Sequence, residues 1–88
     1  MNDFLSLLNK WNQDNEYQKI IDCLEKLSNT QKLDYTLTCQ LARAYNNIAD
    51  LDKEEGKSQL ERAEELLRSV ADEGQDDPLW HYRLGYSL

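Results

Sequence analysis

Apolar side chains recur along this chain at intervals of three and four residues, in stretches separated by short polar segments. That spacing gathers them on one face of an α-helix, whereas a strand would alternate them between two faces. Phe4, Leu7, Leu8 and Trp11 predict a first helix over about 2–12. Tyr17, Ile20, Ile21, Leu24 and Leu27 predict a second, ending near Ser28, with Asp14 as its N-cap. A third follows the turn at 28–32, capped by Asp34 and carrying Leu37, Leu41, Ala44, Tyr45 and Ile48. From 49 to 57 the pattern lapses into charge, and Gly56 lowers helical propensity, so a loop is expected there. Ser58, Gln59, Leu60 and Glu61 have the form of a capping box and open a fourth helix with Leu60, Ala63, Leu66, Leu67 and Val70 inward. Gly74 is expected to stop that helix in a left-handed conformation. Asp77 and Pro78 then read as the N-cap and first residue of a fifth helix bearing Leu79, Trp80, Tyr82, Leu84 and Tyr86.

These stripes repeat one another. Leu7 and Leu41, and Trp11 and Tyr45, are 34 residues apart. Leu41 and Leu84 are separated by 43, as are Tyr17 and Leu60, Ile20 and Ala63, Leu24 and Leu67, and Leu27 and Val70. The longer interval is the shorter one with nine residues inserted, and the insertion falls between Tyr45 and Leu60. A period near 34 built from paired amphipathic helices marks a helical solenoid, a class of fold that presents extended surfaces to other polypeptides. An ordinary antiparallel bundle has the same local periodicity and is the alternative.

Composition narrows the function. Eighty-eight residues make one small domain of modest stability. The net charge of -7, with ten dispersed basic residues, argues against nucleic acid and anionic membrane as partners, because both are held by clustered Lys and Arg. The first eleven residues lack a basic leader and a small-residue cleavage site, and no apolar run approaches the roughly 20 residues of a membrane helix, so a soluble cytoplasmic protein is expected. Cys23 and Cys39 match neither zinc nor redox spacing and are expected as half-buried free thiols. Glu64 and Arg68 are placed for an i,i+4 ion pair on an exposed helix face.

Together these positions resemble the tetratricopeptide repeat family. The clearest match is Leu41-Ala42-Arg43-Ala44-Tyr45, followed after the insertion by Ala63, Leu67 and Val70, and then by Asp77-Pro78 and Leu84-Gly85, where glycine lets helix backbones approach. Phe4, Leu7, Trp11, Tyr17, Leu24 and Leu27 keep the pattern in the first repeat, while Leu8 and Ile20 stand where small residues are usual. The resemblance implies an all-α, right-handed superhelix of antiparallel helix pairs with about five helices. It divides residues 1–88 into repeat one at 1–34, repeat two at 35–77 with its nine-residue insertion, and a half repeat at 78–88. The abrupt end at Leu88 leaves open a piece of a longer repeat protein.

The resemblance further implies a concave groove that binds a peptide or a partner helix. Its positions fall on Leu5, Asn9 and Asn12 in repeat one, on Cys39, Arg43, Asn46 and Asn47 in repeat two, and on Leu79, Tyr82, Arg83 and Tyr86 in the last helix. Asparagine amides both donate and accept along a peptide backbone, and an arginine fork suits a carboxylate. The plainer reading is that Asn46 and Asn47 end the third helix and Arg43 forms a surface ion pair. A subclass of the family clamps C-terminal carboxylates with lysines, but Leu5 and Leu79 occupy the lysine places, so no such clamp is expected. The aromatic cluster of Trp80, His81, Tyr82 and Tyr86 reads either as a binding hot spot or as core awaiting a further helix.

No phosphate loop, nucleophile elbow or positioned Cys–His pair is present, and His81 is the only histidine, so a non-enzymatic protein-interaction module without cofactor or metal is expected. The alternatives are a self-associating structural module, dimerising through the apolar face of the C-terminal helix with Trp80, Leu84 and Leu88, or the regulatory part of a larger protein.

Overall fold

A computed structural model describes residues 2–50 and 52–87, with the side chains of Asn2 and Ser87 excepted. Among the described residues there are six helices and no strand. They are α1 (Asn2–Gln13), α2 (Tyr17–Ser28), α3 (Tyr35–Ile48), α4 (Glu54–Ser69), the single turn α5 (Ala71–Gly74) and α6 (Pro78–Ser87). Successive long helices pack on one another, most extensively α3 on α4, and α6 lies against both α4 and α3.

The apolar stripes become the core. Ile20, Leu24, Leu41, Ala63 and Leu67 are fully buried, with Ala42 and Ala44 among them. The residues paired at intervals of 34 and 43 have matched surroundings in most cases: Ile20 and Ala63, and Leu24 and Leu67, are buried, while Trp11 and Tyr45 are half-buried. The leucines at the centre of the pattern differ. Leu7 is 41% exposed, Leu41 is fully buried and Leu84 is half-buried, so the three do not occupy equivalent environments. In α1 the inward residue is Leu8, with Phe4 and Trp11 half-buried beside it. The cause is position in the stack. α3 has neighbours on several sides, whereas α1 packs mainly on α2, and the flank bearing Leu7 is left uncovered.

Some helix ends follow local chemistry and others do not. Asp34 does cap α3, accepting from the Leu37 N–H at 2.8 Å. Asp14 does not cap α2: α1 closes through Glu16 N–H to Trp11 O at 2.8 Å, and Asn15 takes the left-handed conformation at φ 59°, which asparagine tolerates. The stretch 49–57, expected as a loop, is helical from residue 54 onward. α4 begins at Glu54, one turn before Ser58, so the capping box is not used and Gly56 lies inside the helix. Glu54 and Glu55 in the first turn favour this earlier start through the helix dipole.

Gly56 is buried because the connection from α3 crosses directly over it, with a β-carbon placed there falling 1.9 Å from the Asp50 carbonyl oxygen. Gly74 also has no left-handed conformation. α4 breaks at Val70 (φ -118°, ψ 27°), and Gly74 ends the following turn beneath the Trp80 ring, where a β-carbon would fall 2.3 Å from Cγ. At Gly85 the reverse holds: nothing lies within 4 Å of such a carbon, and the glycine allows no close helix approach in this structure.

Candidate functional site

A cleft of about 410 Å³ opens between α3 and α6. Its α3 wall is Arg43, Asn46 and Asn47, and its α6 wall is Leu79, Tyr82, Arg83 and Tyr86. Each set repeats at three and four residues, so each is one face of its helix. Leu79, Tyr82 and Tyr86 are 58%, 72% and 56% exposed. Most of the residues expected to line a groove in repeat two and the last helix are therefore brought together.

The floor of the cleft holds α6 in place. Asn46 is buried, and its side-chain amide donates to the Arg83 carbonyl at 3.2 Å. At the N-terminal end of α6, Asp77 accepts from the Leu79 N–H at 3.0 Å and from the Tyr35 hydroxyl at 2.5 Å. This confirms Asp77 as the N-cap and extends its role to a tie between α3 and α6. On the other side of α6, Trp80 is buried and donates its indole N–H to the Leu67 carbonyl at 2.8 Å. The break at Val70 leaves that carbonyl outside the regular helical ladder, bonded otherwise to the Val70 N–H. The aromatic cluster thus divides: Trp80 is core, while Tyr82 and Tyr86 face outward. His81 is exposed, stacks edge-on to Trp80 and places a ring nitrogen 2.7 Å from the Gln75 carbonyl.

Four expected groove residues lie elsewhere. Leu5 and Asn9 are exposed on α1 and do not line this cleft. Asn12 joins helices, its amide donating to the Leu8 carbonyl at 3.2 Å and to the Gln40 side chain at 3.1 Å, while its own Oδ1 is buried without a partner. Cys39 is 4% exposed and cannot line a surface. It precedes Arg43 by one turn on the same stripe, but its short side chain is buried beside Tyr35, Asp77 and Arg83, whereas the longer Arg43 side chain lines the cleft. Burial pushes the Cys39 thiol up, with Tyr35, Arg83 and Asp77 as its polar surroundings. The ion-pair alternative for Arg43 is not what forms: among the described residues it has neither an ion pair nor a side-chain hydrogen bond. The exposed pair of Glu64 and Arg68 does form, at 3.0 Å.

Two further hollows were not foreseen. One, of about 660 Å³, lies where the α2–α3 turn meets the end of α4 and includes Leu33, Tyr35, Thr38 and Val70. The other, of about 540 Å³, is bordered by Phe4, Cys23, Leu27 and Leu37. The first is larger than the α3–α6 cleft, but Thr38 is engaged with the Leu33 carbonyl and Tyr35 with Asp77, and its Gln31, Lys32 and Glu73 are exposed. The α3–α6 cleft combines exposed aromatics with a half-buried cation that has no ion pair among the described residues, whereas Lys26 and Lys32 at the other two hollows are exposed, and for that reason it is the candidate site.

No family model matches the chain, and neither a curated protein nor a solved structure matches it. No helix among the described residues is long and apolar enough to cross a membrane.

The tie at Asp77 has a pH signature. The Tyr35 hydroxyl, the α6 N–H groups and the nearby Arg83 hold the Asp77 carboxyl below its ordinary value, while burial and the bond to Asp77 push the Tyr35 phenol up. A carboxyl depressed in the folded chain adds stability above its unfolded pKa, about 3.9, and loses it as pH falls through the lower folded value. Asp77→Asn keeps the cap acceptor but removes the titration. Its stability should therefore fall less than that of the wild type as pH drops below about 4, measured by near-UV circular dichroism of Trp80. Equal slopes would show that the tie has no electrostatic component.

Proposed function

We propose that this chain is a non-enzymatic protein-interaction module of tetratricopeptide type, its helix pairs forming a right-handed superhelix, and that it binds a peptide segment in the cleft between α3 and α6. The observation carrying this reading is the row of Leu79, Tyr82 and Tyr86, each more than half exposed, on a helix anchored on both sides. Exposed aromatics on a rigid support bind at little cost in ordering, and such residues dominate the energetics of interfaces. The like burial of Tyr17 and Leu60, Ile20 and Ala63, and Leu24 and Leu67 supports the repeat architecture, while the unlike surroundings of Leu7, Leu41 and Leu84 count against it.

Peptides selected from a random library on the whole chain are expected to lose affinity more than about tenfold on Tyr82→Ala. Tyr82 is 72% exposed, so helix content and unfolding midpoint should not change. Selected peptides that bind this variant as well as the wild type would place the binding surface elsewhere.

A second reading, self-association through the face of α6, is favoured by the open surface at Gly85 and the half-burial of Leu84. Leu88, which the sequence adds to that face, lies outside the described residues. Light scattering over a range of concentrations separates the two: a dimer weakened by Tyr82→Ala supports self-association, and a constant monomer mass supports the cleft as a site for a different polypeptide.

A further inference from the structure

Resting on that reading of the cleft, we propose that its partner is a segment carrying one internal acidic side chain beside a large apolar one, with the carboxylate on Arg43 and the apolar group against Tyr82 and Tyr86. Its ground is a mismatch of charge. The chain has 17 acidic and ten basic residues, so an arginine has many potential partners within its own protein. Arg62 is paired with Glu25 and Glu65, and Arg68 with Glu64. Arg83 lies close to Asp77 and Cys39. Arg43 differs: it is half-buried, lines the cleft, and has no acidic partner among the described residues. No acidic side chain lines that cleft among the described residues. A partly desolvated guanidinium is complemented by a carboxylate, which it can hold through two parallel hydrogen bonds.

The same charges limit how acidic the partner is. With a net charge of -7, the protein repels a polyanion over about a Debye length of 8–10 Å, and only the immediate surroundings of Arg43 are attractive. One carboxylate flanked by apolar side chains meets both conditions, and an acidic run does not. A chain-terminal carboxylate fits less well. Asn46 and Asn47 sit in the last turn of α3, where the helix presents carbonyl oxygens in place of the N–H groups that usually cradle a terminus. Leu79 and the two tyrosines give the partner's apolar side chain its surface on the opposite wall.

The test is selection from one random peptide library on the full chain in three forms: wild type, Arg43→Ala and Arg43→Glu. The wild type is expected to enrich a single Asp or Glu next to a Leu, Phe or Trp. Those peptides should bind Arg43→Ala about tenfold more weakly, and Arg43→Glu should select Lys or Arg at the same place. Helix content should be unchanged in all three. Peptides that are sensitive to Tyr82→Ala yet show no acidic preference, or bind all three forms alike, would overturn the carboxylate proposal and leave the cleft standing. A preference for peptides with a free C-terminal carboxylate would overturn the internal side chain as the source. If no enriched peptide is sensitive to Tyr82→Ala, the cleft reading itself fails, and the inference with it.

Discussion

Trp80→Ala is expected to destabilise the chain by about 3–5 kcal/mol, the range for removing a large buried aromatic. Trp80 is 6% exposed, and its ring covers the buried Gly74. Removing it leaves a cavity bounded by the end of α4, the turn α5 and α6, and Gly74 has no side chain with which to fill it. The Leu67 carbonyl also loses the indole N–H at 2.8 Å, though it keeps the Val70 N–H. A small domain starts from a total of about 5–15 kcal/mol, and one this short belongs toward the lower end. Urea unfolding followed by far-UV circular dichroism measures the loss through the shift in midpoint. Trp80→Phe separates the contributions, since it keeps most of the ring and should cost about 1 kcal/mol for the hydrogen bond plus the smaller volume. A loss below about 1 kcal/mol for the alanine variant, well short of the usual cavity cost, would mean that α6 is not anchored as described.

The second large effect is expected at Gly56, where two influences oppose each other. Alanine is the better helix former by about 1 kcal/mol, and an ordinary mid-helix glycine would gain by the exchange. Here the new β-carbon would sit 1.9 Å from the Asp50 carbonyl oxygen and 2.4 Å from its carbon. No rotamer relieves a clash with backbone. Asp50 is itself held by a compact turn, its carbonyl accepting from Lys53 N–H and its carboxylate from Asp52 N–H, both at 3.0 Å. The connection must therefore lift from α4, and the net result should be destabilisation by about 1–3 kcal/mol. Gly85→Ala supplies the contrast. Its β-carbon meets nothing within 4 Å, so the propensity gain of up to about 1 kcal/mol should appear unopposed. Thermal unfolding of the two variants should move in opposite directions. A stabilised Gly56→Ala would contradict the close crossing at Asp50.

These glycines show where a sequence stops being legible. Glycine serves both as a helix breaker and as a place for close approach, and nothing local distinguishes the two uses. Gly56 and Gly74 read as breakers, yet both are sites of contact, with the backbone at Asp50 and the ring of Trp80 respectively. The same limit applies to Leu7 and Leu8. Each has helical spacing with Phe4 and Trp11, and the choice between them depends on which flank of α1 has a neighbour. In the cleft, Cys39, Arg43 and Asn46 share one stripe of α3, but depth was not encoded in spacing. α6 covers the two short side chains, and the long one reaches past it. What could be read was whatever depends on local chemistry and period: the stripes of α2, α3 and α4, the Asp34 cap, and the Asp77-Pro78 start of α6. The pairing of the α3 face with the α6 face followed from the resemblance. Which members of each face remain accessible followed only from the packing.

If the α3–α6 cleft is the binding site, a bound peptide touches the chain there, and amide chemical-shift mapping measures that contact. A peptide selected on the wild-type chain, titrated into isotope-labelled protein, should shift the amides of Arg43, Asn47, Tyr82, Arg83 and Tyr86 while those of the outer faces of α2 and α4 stay in place. Shifts concentrated instead around Phe4, Cys23 and Leu27, or around Leu33 and Val70, would contradict it.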